Sequence, residues 1–199
     1  MLFKYAIVLT GGISTGKSTV AKLLSNDFVI IDADKIAHRM LDLHKDKIGH
    51  LFGEEYILNN KVNRKVLGKL IFSNLKEKLR LEALLHPLIF EEIKIRAMEE
   101  DKLERPYLID IPLFFESSGR YPISKSIVVY TSKELQLERL MLRDNSLQEE
   151  ALERIDSQMS IEKKKQLSTY LIDNSKDLNY LQEECVKVKN NILINFFKD

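Results

Sequence analysis

The sequence has very little cysteine: Cys185 is the single one in 199 residues. One thiol excludes an intramolecular disulfide, and a reducing, cytoplasmic setting is expected. Cys185 lies in a helix-like C-terminal stretch, away from any nucleophile pattern, so it reads as a packed or surface residue and not as a catalytic thiol. No apolar run approaches the ~18 residues of a membrane span, and no membrane partner is expected. Neither sign of charge is in excess: 31 basic residues against 30 acidic ones give a net charge of +1. A general electrostatic grip on nucleic acid or an anionic membrane is therefore not expected, although local basic clusters can still bind phosphates. The four histidines, His38, His44, His50 and His86, show no zinc-ligand spacing with the cysteine. No repeat or low-complexity segment occurs. The chain enters a strand-like run by residue 3, so no removable signal peptide is expected. At 44% hydrophobic and 31% charged residues, the composition suits one compact domain with a sizeable core, with room for an inserted subdomain.

What is present begins at residue 11. Gly11-Gly12-Ile13-Ser14-Thr15-Gly16-Lys17-Ser18-Thr19 contains G-x-x-x-x-G-K-S, the phosphate-loop pattern. A β-rich run over 3–9 precedes it, and a helix-compatible run over 20–25 follows. Strand, glycine loop and helix start bring backbone N–H groups onto an anion at a helix N-terminus. Lys17 places its charge on the outer phosphates of a nucleotide, and the Ser18 hydroxyl suits Mg²⁺.

Further strands are predicted over 28–31, 107–112, 126–131 and 170–174. The second ends at Asp32-Ala33-Asp34 and the third at Asp110-Ile111-Pro112. Residues 35 to about 100 read as a helical insertion without a parallel strand, turning at Asn59-Asn60 and breaking at His86-Pro87. Helices are predicted over 134–143, through the charged stretch 144–168, and at the C-terminus. Alternating strands and helices imply a five-stranded parallel sheet with helices on both faces, an α/β fold.

Each candidate residue has a plain structural reading beside the chemical one. Asp32 and Asp34 stand at a strand end, where ligands bind in open α/β sheets. One of them can act as base toward an acceptor hydroxyl and the other can orient Mg²⁺, but aspartates also cap helices. Asp110 either supports Mg²⁺ or forms a turn. Arg139 and Arg143, spaced i, i+4, either brace phosphates or face solvent beside Glu138 and Asp144. Arg154 and Lys163-Lys164-Lys165 belong either to a mobile lid or to a solvated helix. His86 is either a helix-end residue or a substrate contact.

The ordered set of motifs resembles the dephospho-CoA kinase family. The resemblance runs from the phosphate loop through Ile31-Asp32-Ala33-Asp34 to Asn63-Arg64-Lys65-Val66-Leu67 and Leu84-Leu85-His86-Pro87-Leu88-Ile89. It continues through Asp110-Ile111-Pro112-Leu113-Phe114-Phe115-Glu116, then Gln136 with Arg139 and Arg143, and ends at Gln158 and Ile172-Asp173-Asn174. It implies transfer of the γ-phosphoryl of ATP to the ribose 3′-hydroxyl of dephospho-CoA, with Mg²⁺, in the last step of coenzyme A biosynthesis. The implied architecture is a P-loop NTPase-type core over 1–34, 105–135 and 169–199, a helical CoA-binding insertion over 35–104 and a helical lid over 136–168. The implied base is Asp34, with Asp32 on the metal side together with Ser18. Lys17 and Arg139 join the catalytic set. ATP falls to Gly12, Ser14, Thr15, Gly16, Lys17, Ser18, Thr19, Arg143 and Asn174, the last near adenine. The acceptor falls to Arg64, His86, Pro112 and Leu113. Three positions depart from the family pattern: Ser14 where glycine is easiest, Asn60-Lys61 in place of Asp-Gly, and Ser168-Thr169 in place of Ala-Asp. The same loop also suits another small-molecule kinase or a nucleotide-dependent switch, and the ordered motif set argues against both.

Overall fold

The computed structural model describes residues 2–117 and 119–196; residues 1, 118 and 197–199 of the expected core ranges lie outside them. The contacts divide the chain into two units, Met1–Ile31 with Ala97–Asp199, and Asp32–Arg96.

The first unit is built on a five-stranded parallel sheet. Its strands are β1 (Ala6–Gly11), β2 (Ile30–Asp32, whose last residue opens the second unit), β5 (Tyr107–Asp110), β6 (Ser126–Tyr130) and β7 (Tyr170–Asp173), in the order β2-β5-β1-β6-β7. β1 is central. Its Leu9 aligns with Asp110 of β5 and with Ile127 of β6, and Val129 of β6 aligns with Ile172 of β7. Ile7, Val8 and Leu9 are all buried although alternate residues face opposite sides of a sheet, so both faces of β1 are covered. That explains why its sequence is a continuous apolar run and not an alternating one.

Helices α1 (Lys17–Leu24) and α9 (Leu178–Phe196) share a core with the sheet. Leu181, Cys185, Val188 and Ile192 form one stripe of α9 at helical spacing, packed in a cluster with Val20, Leu24, Leu108, Ile127 and Ile172. Burying each such aliphatic side chain contributes about 1.5–3 kcal/mol. Burial also pushes the Cys185 thiol up to about 11, with Glu184 adding to the shift. The thiolate is the reactive form. We therefore expect Cys185 to resist iodoacetamide at neutral pH in the folded protein and to alkylate fully in denaturant, as read by mass spectrometry. Rapid labelling of the native chain would contradict this packing.

Three further helices lie between β6 and β7: α6 (Lys133–Asp144), α7 (Gln148–Asp156) and α8 (Ile161–Leu167). Ser132 caps α6 by accepting from the Leu135 N–H, and Ser160 caps α8 from the Lys163 N–H. Leu140, Ala151 and Ile155 join α6 to α7, and Ile13 of the phosphate loop packs on that cluster.

The second unit holds α2 (Ala33–Leu43), α3 (Lys45–Phe52), a hairpin of β3 (Ile57–Leu58) and β4 (Lys61–Val62), α4 (Arg64–Ser73) and most of α5 (Leu75–Asp101). The hairpin corrects the expectation of a wholly helical insertion. Its strands are two residues long, too short to show a period in the sequence. The turn is Asn59-Asn60, with φ of 49° and 62°. Two left-handed residues are what a tight hairpin of this hand requires, and asparagine tolerates them. Asp42 of α2 holds β4 by accepting from the Val62 N–H at 3.1 Å.

α5 corrects a second expectation, since it runs for 27 residues straight through Pro87. Proline removes one helical donor and crowds the preceding turn, a cost of roughly 3 kcal/mol. Leu81, Leu85, Ile89 and Ile93 are buried at four-residue spacing on both sides of it, while Pro87 itself is exposed. Burial along that stripe outweighs the local cost. His86 is therefore a mid-helix residue and not a helix end.

Candidate active site

The loop between β1 and α1 is shaped by two close approaches. Gly16 takes φ 87° as the N-cap of α1, and a Cβ there would stand 2.2 Å from the Asn174 Nδ2. A Cβ on Gly12 would stand 2.2 Å from the Gln136 Nε2. Glycine is needed at Gly16 for conformation as well as for space. Ser14 has φ 58°, so the position read as easiest for glycine does adopt the left-handed conformation. Its hydroxyl is buried without a hydrogen bond among the described residues.

Side chains from distant parts of the chain grip the loop backbone. The Gln136 Nε2 donates to the Ile13 carbonyl at 2.8 Å, and the Ile13 N–H donates to the Gln158 Oε1 at 3.1 Å. The Asn174 Nδ2 donates to the Thr15 carbonyl at 2.8 Å, and the Thr15 hydroxyl donates to the Gly12 carbonyl at 2.9 Å. Among the described residues, the N–H groups of Ser14, Gly16, Lys17 and Ser18 have no acceptor. These are unspent donors at a helix N-terminus, the arrangement that binds phosphate.

The Lys17 ammonium pairs with Asp110, the last residue of β5, where only 16% and 10% of the two side chains are exposed. The acid left open between a turn and a metal role thus holds the loop lysine. Arg139 is half-buried and donates from its NH2 to the Asn174 carbonyl at 3.0 Å, with no carboxylate partner among the described residues. Arg143 is exposed and shares Asp144 with Arg154, at 2.7 and 2.5 Å. Arg143 and then Arg154 hold the Asp144 carboxyl well below the usual carboxylate range, and Asp144 raises Arg143 in turn. The folded-state value is depressed, so this pairing contributes at neutral pH and is lost on acidification through and below the ordinary aspartate range.

The other expected residues fall as follows. Ser18 and Thr19 are exposed in the first turn of α1. The Pro112 carbonyl accepts from the Thr10 hydroxyl at 2.9 Å, and Leu113 is exposed. Asp32, Asp34, Arg64 and His86 belong to the second unit. Asp32 caps α2, accepting from the Lys35 N–H at 2.9 Å and pairing with the Lys35 ammonium at 3.3 Å. Asp34 stands exposed in the first turn of α2, with no hydrogen bond to its carboxylate among the described residues. Arg64 is exposed at the start of α4, behind the Asn63 cap. So the structure brings Asn174, Arg139 and Lys17 onto or beside the loop, and Asn174 acts as a loop brace. The sequence reading assigned no role to Gln136 and Gln158, although the family motifs include both. It placed Lys164 in a solvated run or a mobile lid. Lys164 is instead fully buried.

A parallel sheet with a phosphate loop at the C-terminal end of its central strand, a loop lysine and a helix starting beneath unspent amides defines a P-loop kinase. A shikimate kinase from Acinetobacter baumannii shares the fold, with a TM-score of 0.55 at 17% identity over 97% of this chain and 96% of its own. The sequence model of the dephospho-CoA kinase family matches residues 5–179, and the chain belongs to that family. The dephospho-CoA kinase of Sulfurimonas denitrificans is 55% identical over 93% of this chain and 92% of its own. The solved dephospho-CoA kinase from Campylobacter jejuni superposes with a TM-score of 0.74 at 37% identity, covering 94% of this chain and 96% of its own.

Proposed function

We propose that this kinase transfers the γ-phosphoryl of ATP to the ribose 3′-hydroxyl of dephospho-CoA, giving CoA and ADP. The observation that carries the reading is the loop itself. Four unspent amides and Lys17 converge where nucleotide phosphates bind, in a chain of this family. In this reading the amides of Ser14, Gly16, Lys17 and Ser18 receive the phosphates, flanked by Gly12, Thr15 and Thr19. Arg139 swings from the Asn174 carbonyl to the transferring group. Arg143 supports it after leaving Asp144.

Mg²⁺ fits the donors present. No group of three or more His, Cys, Asp or Glu able to hold a metal exists among the described residues, so these residues do not offer a closed cation cage. The Ser18 hydroxyl is a hard oxygen donor at the head of α1, and such a site takes Mg²⁺ with the nucleotide's own oxygens. Bound there, Mg²⁺ supplies charge neutralisation between phosphate oxygens. Asp32 is engaged as a helix cap, which makes it a positioning group for α2 and, through water, a support on the metal side. Asp34 has no such engagement and is the proposed base toward the 3′-hydroxyl.

Arg64, His86, Pro112 and Leu113 are assigned to the acceptor, with residues 35–104 as the CoA-binding insertion. Residues 136–168 are assigned as the lid. Gln136, Gln158 and Lys164 are fastened to the loop region, and Ile13 packs on the α6–α7 cluster, so closure in this reading is a swing of the Arg139, Arg143 and Arg154 side chains and not of the helices that carry them. Among the described residues no helix is long and apolar enough to cross a membrane. With one thiol, and that one buried, a cytoplasmic location is the fitting one.

Coupled ADP release should be slow with ATP and Mg²⁺ alone and rise by orders of magnitude on adding dephospho-CoA, with CoA identified as product by mass spectrometry. Equal release without acceptor, or stimulation by a free nucleoside instead, would overturn the assignment.

A further inference from the structure

Among the described residues Lys164 is the one buried lysine, with none of its side chain exposed. Its ammonium donates to the Gly11 carbonyl at 3.0 Å and pairs with the Glu116 Oε1 at 2.8 Å. The same Glu116 oxygen accepts from the Met159 N–H at 3.0 Å. The Glu116 Oε2 is buried with no partner among the described residues. Next to Met159, Gln158 accepts from the Ile13 N–H. α8 is itself pinned to β6: the Tyr130 hydroxyl donates to Glu162 at 2.7 Å, and the Lys165 ammonium lies 4.2 Å from the Tyr130 ring centre.

Taking a lysine and a glutamate out of water is costly unless each is paired and hydrogen-bonded. A surface lysine would serve α8 equally well as a helix residue. What the buried one adds is a fixed charge on a backbone carbonyl, and that carbonyl is the last of β1 before the phosphate loop. We propose that Lys164, held by Glu116, is a positioning residue for the phosphate loop. It fixes the Gly11 peptide while Gln158 fixes the Ile13 peptide, so the amides beyond them keep the spacing that a nucleotide's phosphates require. Lys164 touches no nucleotide in this role and acts through the loop backbone. The role deepens the kinase reading above and rests on it.

The test compares wild type, Lys164→Met and Glu116→Gln by calorimetric titration with ADP, by KM for ATP and by KM for dephospho-CoA. Methionine keeps the length and removes the donor. Glutamine keeps the shape of Glu116 and its acceptor for Met159, and leaves Lys164 without a counter-charge. We expect Lys164→Met to weaken ADP binding by about tenfold or more, as loss of a supporting contact does at a preorganised site. KM for ATP should rise in step and KM for dephospho-CoA should stay at the wild-type value. Glu116→Gln should move the same two quantities in the same direction, and it decides the question if Lys164→Met does not fold. A folded variant with wild-type ADP affinity overturns the proposal. So does a variant whose turnover falls with both KM values unchanged, since that is a smaller active fraction and nothing more. ADP binding is read without the acceptor, so wild type that binds ADP but fails to phosphorylate dephospho-CoA refutes the reaction and not the brace.

Discussion

Replacing Lys17 with methionine should lower kcat by on the order of 10²-fold or more, the usual effect of removing one preorganised charge from a transition state. Phosphoryl transfer passes through a loose transition state in which charge spreads over the transferring oxygens. The protein therefore contributes mainly fixed positive groups, and Lys17 is the one placed in the loop itself. Its ammonium is already localised by Asp110 at the end of β5, with little exposure to water. Methionine fills the same space but also takes the lysine cation from a carboxylate whose side chain is 10% exposed, and breaking a buried pair costs up to about 3–5 kcal/mol. Stability and catalysis are separated by adding Asp110→Asn. The double variant should regain most of the lost melting temperature and none of the lost turnover. Turnover near wild type in folded Lys17→Met would remove the phosphate loop from the mechanism. Recovery of turnover in the double variant would show that the single one had merely been unfolded.

The parallel core was legible in the sequence because each of its strands is a β-branched or aromatic run, and three of them end in an acid, at Asp32, Asp110 and Asp173. Both faces of β1 and β5 are buried, so no alternation was needed to find them. The loop was legible for a different reason: its chemistry depends on contiguous residues, and the family's preference for glycine at Ser14 matches the left-handed backbone found there. What stayed hidden depends on distance along the chain. Lys164 looks like its neighbours Lys163 and Lys165, and its acceptors lie at Glu116 and Gly11. Spacing within one helix carries no information about such partners. The same applies to the contact between Asn174 and the Thr15 carbonyl. Local rules failed where packing overrode them, as at Pro87 inside α5, and where an element was too short to display a period, as in the Asn59-Asn60 hairpin.

Replacing Asp34 with asparagine should abolish phosphorylation of dephospho-CoA, with a fall in kcat on the order of 10³-fold, within the range for losing a general base. The two acids at the end of β2 differ in what they already do. Asp32 accepts from the Lys35 N–H and pairs with the Lys35 ammonium, which is the work of a helix cap. Asparagine caps about as well as aspartate, so Asp32→Asn should keep α2 and retain a substantial part of the activity. Asp34 caps nothing, is exposed in the first turn of α2, and loses only its charge and its ability to take a proton when it becomes asparagine. Its variant should therefore fold, bind ATP as wild type does, and bind dephospho-CoA with little change, while single-turnover experiments show no transfer. The pair of variants decides the assignment. An inactive Asp32→Asn beside an active Asp34→Asn would move the base to Asp32. Equal, small losses in both would mean that the 3′-hydroxyl needs no carboxylate base, and that positioning and charge alone carry the transfer.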